Sequence, residues 1–361
     1  MKKSLLFLAV FSALVAACSQ EPSEEEKAKQ AAAQARADEK AADEALLEKA
    51  RSLFKALPAV ATNPVNPISN EKVELGHMLY FDTRLSLTGN NSCNSCHDLA
   101  KWGVDNESTS LGDAGKRGDR NSPTSLNAAL HSVQFWDGRA ADVEEQAGMP
   151  ILNPVEMAIP SKDFLVRKLK GIPMYAEMFK KAFPNDSDPL TYQNIQNAIA
   201  AFERKLIIPS RFDTFLGGDL KALSRNEKDG LNLFIETGCA TCHNGALLGG
   251  TMLQKFGVHG DYRDFTKSKV DDIGLMTISK KEFEKDVFKV PSLRNIEKTW
   301  PYFHDGSITD LAEAVDIMAK LQLNKEISKE ENQLIVAFLG SLTGIVPAEY
   351  QKAPANLAPA N

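Results

Sequence analysis

The apolar positions of this 361-residue chain fall into stretches of different character. Behind Met1-Lys2-Lys3, Leu5 to Ala17 form an apolar run of thirteen residues. A membrane-crossing helix needs about twenty, so residues 1–17 read as a secretory leader. Glu21 to Lys49 is rich in Ala, Glu and Lys, has no aromatic residue, and carries nine acids against five bases. Such a segment buries little, and residues 18–52 read as a helical or disordered spacer. From Leu53 the pattern becomes globular. Leu75-Gly76-x-x-Leu79-Tyr80-Phe81 and Gly230-Leu231-x-Leu233-Phe234 each predict an apolar helix leading into a cysteine-bearing turn. Each is followed by a second amphipathic helix with a shared signature, Ala201-Phe202-x-x-x-Leu206 and Ala337-Phe338-x-x-x-Leu342. No run alternates as a substantial sheet requires. The predicted fold is all-α, one helical plan used twice.

Composition narrows the class. The chain is 43% hydrophobic and 25% charged, which excludes a collagenous, wholly disordered or polytopic membrane protein. A net charge of −6 argues against a nucleic-acid partner, which would select a basic face. Five cysteines cannot all pair as disulfides. The first, in Val15-Ala16-Ala17-Cys18, stands in a sequence that resembles a bacterial lipoprotein processing box. The resemblance implies cleavage before Cys18, a lipid on its sulfur and export to the periplasm, with the spacer holding the globular part off the membrane.

The other four cysteines form Cys93-Asn94-Ser95-Cys96-His97 and Cys239-Ala240-Thr241-Cys242-His243. In each C-x-x-C-H, two thiols can add to the two vinyl groups of one haem while the next imidazole lies beneath the iron. A zinc site built from two C-x-x-C pairs normally has them closer than the 146 residues separating Cys93 from Cys239. A redox dithiol has no need of the His present in both copies. Two covalently bound haem c groups are therefore expected. Helix, haem turn, variable middle and closing helix is the plan of a cytochrome c domain, here in tandem.

The intervening segments are more particular. Asn121-Ser122-Pro123-Thr124, Gln134-Phe135-Trp136-Asp137-Gly138-Arg139-Ala140, Glu145-Gln146-Ala147, Asn153-Pro154-Val155-Glu156-Met157, Ser210-Arg211-Phe212-Asp213, Phe288-Lys289-Val290-Pro291-Ser292-Leu293-Arg294-Asn295 and Pro301-Tyr302-Phe303-His304-Asp305-Gly306 occur in that order. On these motifs the chain resembles the bacterial dihaem cytochrome c peroxidases, a group that includes MauG-type enzymes, over residues 75–344. The resemblance implies an N-terminal peroxidatic domain over 53–207, a C-terminal electron-transfer domain over 208–346 and a flexible tail over 347–361. It implies that His97 and His243 are the proximal ligands and that Met318 is the sixth ligand of the C-terminal haem, with Met276 a weaker candidate. A thioether opposite imidazole raises the haem potential, as an electron store requires.

Further roles follow from the same likeness. Gln146 and Glu156 match the pair on the peroxide side of the N-terminal haem. A carboxyl there can move a proton from the inner to the outer peroxide oxygen, and an amide can hold the substrate. Trp136 matches the residue between the haems. Asn121, Thr299 and Pro301 match the holders of an inter-domain calcium, an amide and two backbone carbonyls being hard oxygen donors. The implied partners are hydrogen peroxide, a small cytochrome c or cupredoxin as electron donor, and a second copy of the chain in a homodimer. One departure stands out: Asp113 occupies the position of the His that blocks the peroxidatic iron in typical members. Either that iron is open from the start, or His77 or His131 replaces the ligand. The competing functions are a MauG-like oxidase, against which Met318 weighs, a non-peroxidatic electron-transfer cytochrome and a bare anchored scaffold.

Overall fold

The computed structural model describes residues 23–357, so the expected leader and Cys18 lie outside the described residues. The helices are α1 (Glu24–Leu53), α2 (Asn70–Phe81), α3 (Cys93–Cys96), α4 (Val143–Leu152), α5 (Lys162–Lys170), α6 (Pro173–Ala182), α7 (Tyr192–Glu203), α8 (Arg211–Leu216), α9 (Arg225–Thr237), α10 (Arg263–Thr266), α11 (Met276–Ser279), α12 (Leu311–Leu323) and α13 (Lys329–Gly340). Two three-residue strands, β1 (Leu253–Lys255) and β2 (Val287–Lys289), pair antiparallel with Gln254 opposite Phe288. The all-α expectation holds, and strands this short leave no period-two signal to read. Among the described residues no helix is long and apolar enough to cross a membrane.

The chain divides into two units, Met1–Ala45 and Leu46–Asn361. In the first, the described part of α1 is highly charged, with ion pairs such as Lys29–Glu25 at 2.7 Å. Pairs of this kind contribute only about 0.2–0.5 kcal/mol each. The spacer ends earlier than residue 52, because Leu47 and Ala50 are buried in the core of the second unit with Phe54 and Phe212.

Within that second unit the helical plan does repeat. α2 starts at a Ser69 cap whose Oγ accepts from the Lys72 amide, and α9 starts at a Ser224–Glu227 capping box. α2 crosses α7, and α9 crosses α13, at a glycine. A Cβ on Gly76 would stand 1.9 Å from the Ala198 carbonyl oxygen, and one on Gly230 would stand 1.8 Å from that of Leu334. No other residue fits either crossing. Around the first crossing Leu75, Leu79, Tyr80, Ile195, Ile199 and Phe202 are buried, and around the second Leu231, Phe234, Ile335 and Phe338. Each fully buried aliphatic or Phe side chain contributes about 1.5–3 kcal/mol of transfer free energy.

Buried ion pairs tie the loops to these helices. Arg294, 1% exposed, grips Asp213 at 2.5 and 3.0 Å, so two of the recurring motifs are partners across the fold. Removing one member of such a pair typically costs about 3–5 kcal/mol. In the segment 347–361, expected to be a flexible tail, Tyr350 packs on the N-terminal half, its ring meeting that of Phe202 edge-on with centroids 5.6 Å apart.

Candidate functional site

The Cys93–Cys96 pair sits on the single turn α3, whose Ser92 and Ser95 form a reciprocal cap, and His97 ends that turn. The Cys239–Cys242 pair follows α9, which stops at Gly238 in the left-handed region, φ 102°. In both turns the histidine is held the same way. His97 Nδ1 donates to the Pro123 carbonyl at 2.9 Å and His243 Nδ1 to the Leu248 carbonyl at 3.0 Å. A carbonyl only accepts, so Nδ1 carries the proton and Nε2 keeps its lone pair for a metal. Burial favours the neutral imidazole at both.

The thiol environments weigh against a redox dithiol. Such motifs depress the thiol pKa, whereas burial pushes Cys93 up and takes Cys96 and Cys239 up to about 11. Nor do three or more His, Cys, Asp or Glu side chains gather as around a metal ion among the described residues. Each turn instead opens onto a cavity. The C-terminal one is lined by Cys239, Cys242, His243, Phe288, Pro291, Leu293 and Met318 among others. Two thiols, a free imidazole nitrogen and mostly apolar walls suit a covalently held haem. The N-terminal cavity is lined by Cys93, Cys96 and His97 and is more polar, with Gln146, Glu156, Arg139 and Glu203 on its walls.

Gln146 projects from α4, which is capped by Asp142, and Glu156 follows the turn after that helix. Asn153 Nδ2 donates to Glu156 Oε1 at 2.7 Å. Burial raises the Glu156 pKa, opposed by the Asn153 hydrogen bond and the Arg139 charge. Arg139 is itself fixed, stacked 3.5 Å from the Phe135 ring centroid and bonded to Asp137 at 3.0 Å. The cavity therefore holds Glu156, a carboxyl whose pKa burial raises, together with the Gln146 side-chain amide, which makes no hydrogen bond among the described residues.

Asp113 does not line this cavity. Its carboxylate accepts from Thr88 N, Thr88 Oγ1 and Asn90 N at 2.8, 2.9 and 3.1 Å. Burial would raise its pKa, but the hydrogen bonds from Thr88, Ser86 and Asn90 outweigh it and hold it below the usual range. His77 is also absent from the cavity: its ring stacks on Phe202 at 4.7 Å, and Nε2 lies 3.2 Å from the Lys352 carbonyl oxygen. His131 borders both cavities. Its Nδ1 is 2.8 Å from Lys289 Nζ, and its buried Nε2 has no partner. Burial takes Lys289 down to about 7, so the pair need not carry two charges.

Trp136 also borders both cavities, with Nε1 donating to the Asn121 carbonyl at 2.9 Å. Met318 faces the cavity of His243; Met276 lines neither cavity, because α11 presents Thr277 and Ile278 instead. Asn121, Thr299 and Pro301 line the C-terminal cavity together. The Asn121 amide nitrogen donates to the Glu107 and Ser108 carbonyls, leaving Oδ1 without a hydrogen bond among the described residues. Sequence reasoning missed Glu203 and the His131–Lys289 pair. Glu203 had a signal: its counterpart in the repeated closing helix is Leu339.

A family model of di-haem cytochrome c peroxidase matches residues 70–221. The chain is 45% identical over 304 residues to the cytochrome c551 peroxidase of Nitrosomonas europaea, covering 82% of this chain and 89% of that protein. It is 42% identical to the cytochrome c551 peroxidase of Pseudomonas aeruginosa, covering 87% and 91%. A solved structure of a MauG-like protein associated with microbial copper homeostasis superposes with a TM-score of 0.74 at 27% identity, covering 83% of this chain and 97% of that one. The chain belongs to the di-haem cytochrome c peroxidase family, whose cofactors are two haem groups.

Proposed function

We propose that the protein reduces hydrogen peroxide to water in the periplasm, drawing two electrons from a small cytochrome c or cupredoxin. The observation that carries this reading is the pairing of Glu156 with Gln146 in the cavity of His97. Two haems, attached at Cys93/Cys96 and Cys239/Cys242, supply the electron transfer that cleaves the O–O bond. Gln146 orients the peroxide by hydrogen bonds, and Glu156 moves a proton from its inner to its outer oxygen, which leaves as water. Burial of Glu156 keeps its pKa nearer the working pH, where a carboxyl can both give and take that proton. The balance is H2O2, two protons and two electrons to two waters.

Met318 shares the cavity of His243 and would offer a thioether to the haem held there, which would suit that site to electron storage, and Trp136 lines both cavities. Asn121 Oδ1 and the carbonyls of Thr299 and Pro301 offer hard donors for a calcium ion beside Trp136. Asp113 is committed to Thr88 and Asn90, and His77 to the α2–α7 surface, so neither lines the cavity of His97. That supports an N-terminal site open in the resting enzyme, with His131, which borders the cavity, the remaining candidate ligand. Anchoring through a lipid on Cys18 and a homodimeric state belong to the same reading. The test is peroxide-dependent oxidation of a reduced small cytochrome c by the haem-loaded protein. Two equivalents oxidised per peroxide support the reading; none oxidised leaves an electron carrier.

A further inference from the structure

α7 and α13 hold equivalent places, each crossing the first helix of its half at a glycine and each lining that half's cavity. In register, Ala201-Phe202-Glu203 stands where Ala337-Phe338-Leu339 stands. Leu339 lines the C-terminal cavity and Glu203 the N-terminal one. At the equivalent position, therefore, one half carries an apolar side chain and the other a carboxyl.

That carboxyl is 7% exposed and makes no hydrogen bond or ion pair among the described residues. The adjacent cation makes no ion pair with it. Arg204 is spent on Glu144, Nε to Oε1 at 2.9 Å and Nη2 to Oε2 at 2.5 Å. The other groups whose electrostatics reach Glu203 are Tyr80 of α2, whose hydroxyl donates to the His97 carbonyl at 2.8 Å, and Cys93 of α3. Burial, reinforced by the Glu144 charge and opposed by Arg204, takes Glu203 up to about 8. A carboxylate buried without a partner is costly, so the acid form is favoured until a positive charge arrives nearby.

We propose that Glu203 is the proton-holding residue of the N-terminal haem pocket, taking up one proton when that haem gains an electron and releasing it when the electron leaves. On reduction the donor's electron goes to the iron and a solvent proton goes to the Glu203 carboxylate. On oxidation both leave, and the carboxylate faces the more positive centre. A proton is thereby stored inside the pocket whose reaction consumes two. The inference rests on the reading that a haem occupies the His97 site, and not on peroxide being its substrate.

The test is a spectroelectrochemical titration of the haem-loaded protein from neutral to alkaline pH. The N-terminal midpoint potential should fall with pH, by up to about 59 mV per tenfold drop in proton concentration for a one-electron couple. The C-terminal potential should stay flat over the same interval. Glu203→Gln should abolish the N-terminal slope, and Glu203→Leu, which installs the other half's residue, should do the same. A reduction-induced infrared difference spectrum should contain a protonated-carboxyl band that Glu203→Gln removes. A flat wild-type profile, or a slope surviving in both variants, overturns the proposal. An intact slope in a protein without peroxide turnover would instead refute the peroxidase reading and leave Glu203 as assigned.

Discussion

The two halves share a helix crossing, a C-x-x-C-H turn and a histidine held through Nδ1, and they differ in what faces the cavity beyond it. The C-terminal cavity meets Met318 and Leu339, so it offers a thioether and hydrocarbon walls. The N-terminal cavity meets Gln146, Glu156 and Glu203, so protons and a small polar molecule have somewhere to go. A cofactor that only passes electrons is best kept from water and substrate. One that does chemistry needs titratable groups, and these carry a burial cost.

The largest break in this comparison is Glu156→Ala. Loss of a positioned acid/base group should lower peroxide turnover roughly 10²–10⁴-fold, with both haem spectra unchanged in the same preparation. Undiminished turnover would remove Glu156 from the reaction. Next, Met318→His should lower the C-terminal potential by a sizeable part of the roughly 0.8 V range that axial ligands command, leaving the N-terminal potential in place. A redox titration resolves the two, and an unmoved C-terminal wave would show that Met318 is not the ligand.

Where the halves are alike, they should fail alike. Gly76→Ala and Gly230→Ala each drive a Cβ into a facing carbonyl, at 1.9 and 1.8 Å, and each should cost about 1–3 kcal/mol or more in denaturant unfolding. A tolerated substitution at either would mean that crossing is looser than its partner. The smallest effect concerns Asp113. Its depressed pKa means its stabilisation is present above the ordinary carboxyl range and is lost as pH falls through the folded-state value. Asp113→Asn should therefore destabilise by about 1–3 kcal/mol at neutral pH and by less in acid, without altering the haem spectrum. A changed spectrum would make Asp113 a ligand after all.

The parts of this molecule written in contiguous residues were legible in the sequence. Attachment of a haem demands two thiols and an imidazole at fixed spacing, so both turns could be read directly. The repeated Leu75-Gly76 and Gly230-Leu231 signals likewise announced the helix leading into each turn, though not that each crosses its partner helix at the glycine. Partnerships across the chain could not be read: Arg294 and Asp213 stand 81 residues apart, and His131 and Lys289 158 apart. Only packing reveals that each pair is one unit. Glu203 sat at an unassigned position of the repeated closing-helix pattern, where the mismatch with Leu339 gains meaning once both are seen to face a cavity. The segments at 47–52 and 347–350 misled for a related reason, since a few apolar residues in a charged or Ala/Pro-rich stretch suffice to dock it.

The most direct test of the open N-terminal site is peroxide turnover by the fully oxidised haem-loaded enzyme, compared with enzyme prereduced at the C-terminal haem. With Asp113 bound to Thr88 and Asn90 and His77 stacked on Phe202, both states should turn over from the first cycle without a lag. Turnover from the prereduced enzyme alone would contradict this account and point to His131, the one of the three residues that borders the cavity, as the displaced ligand.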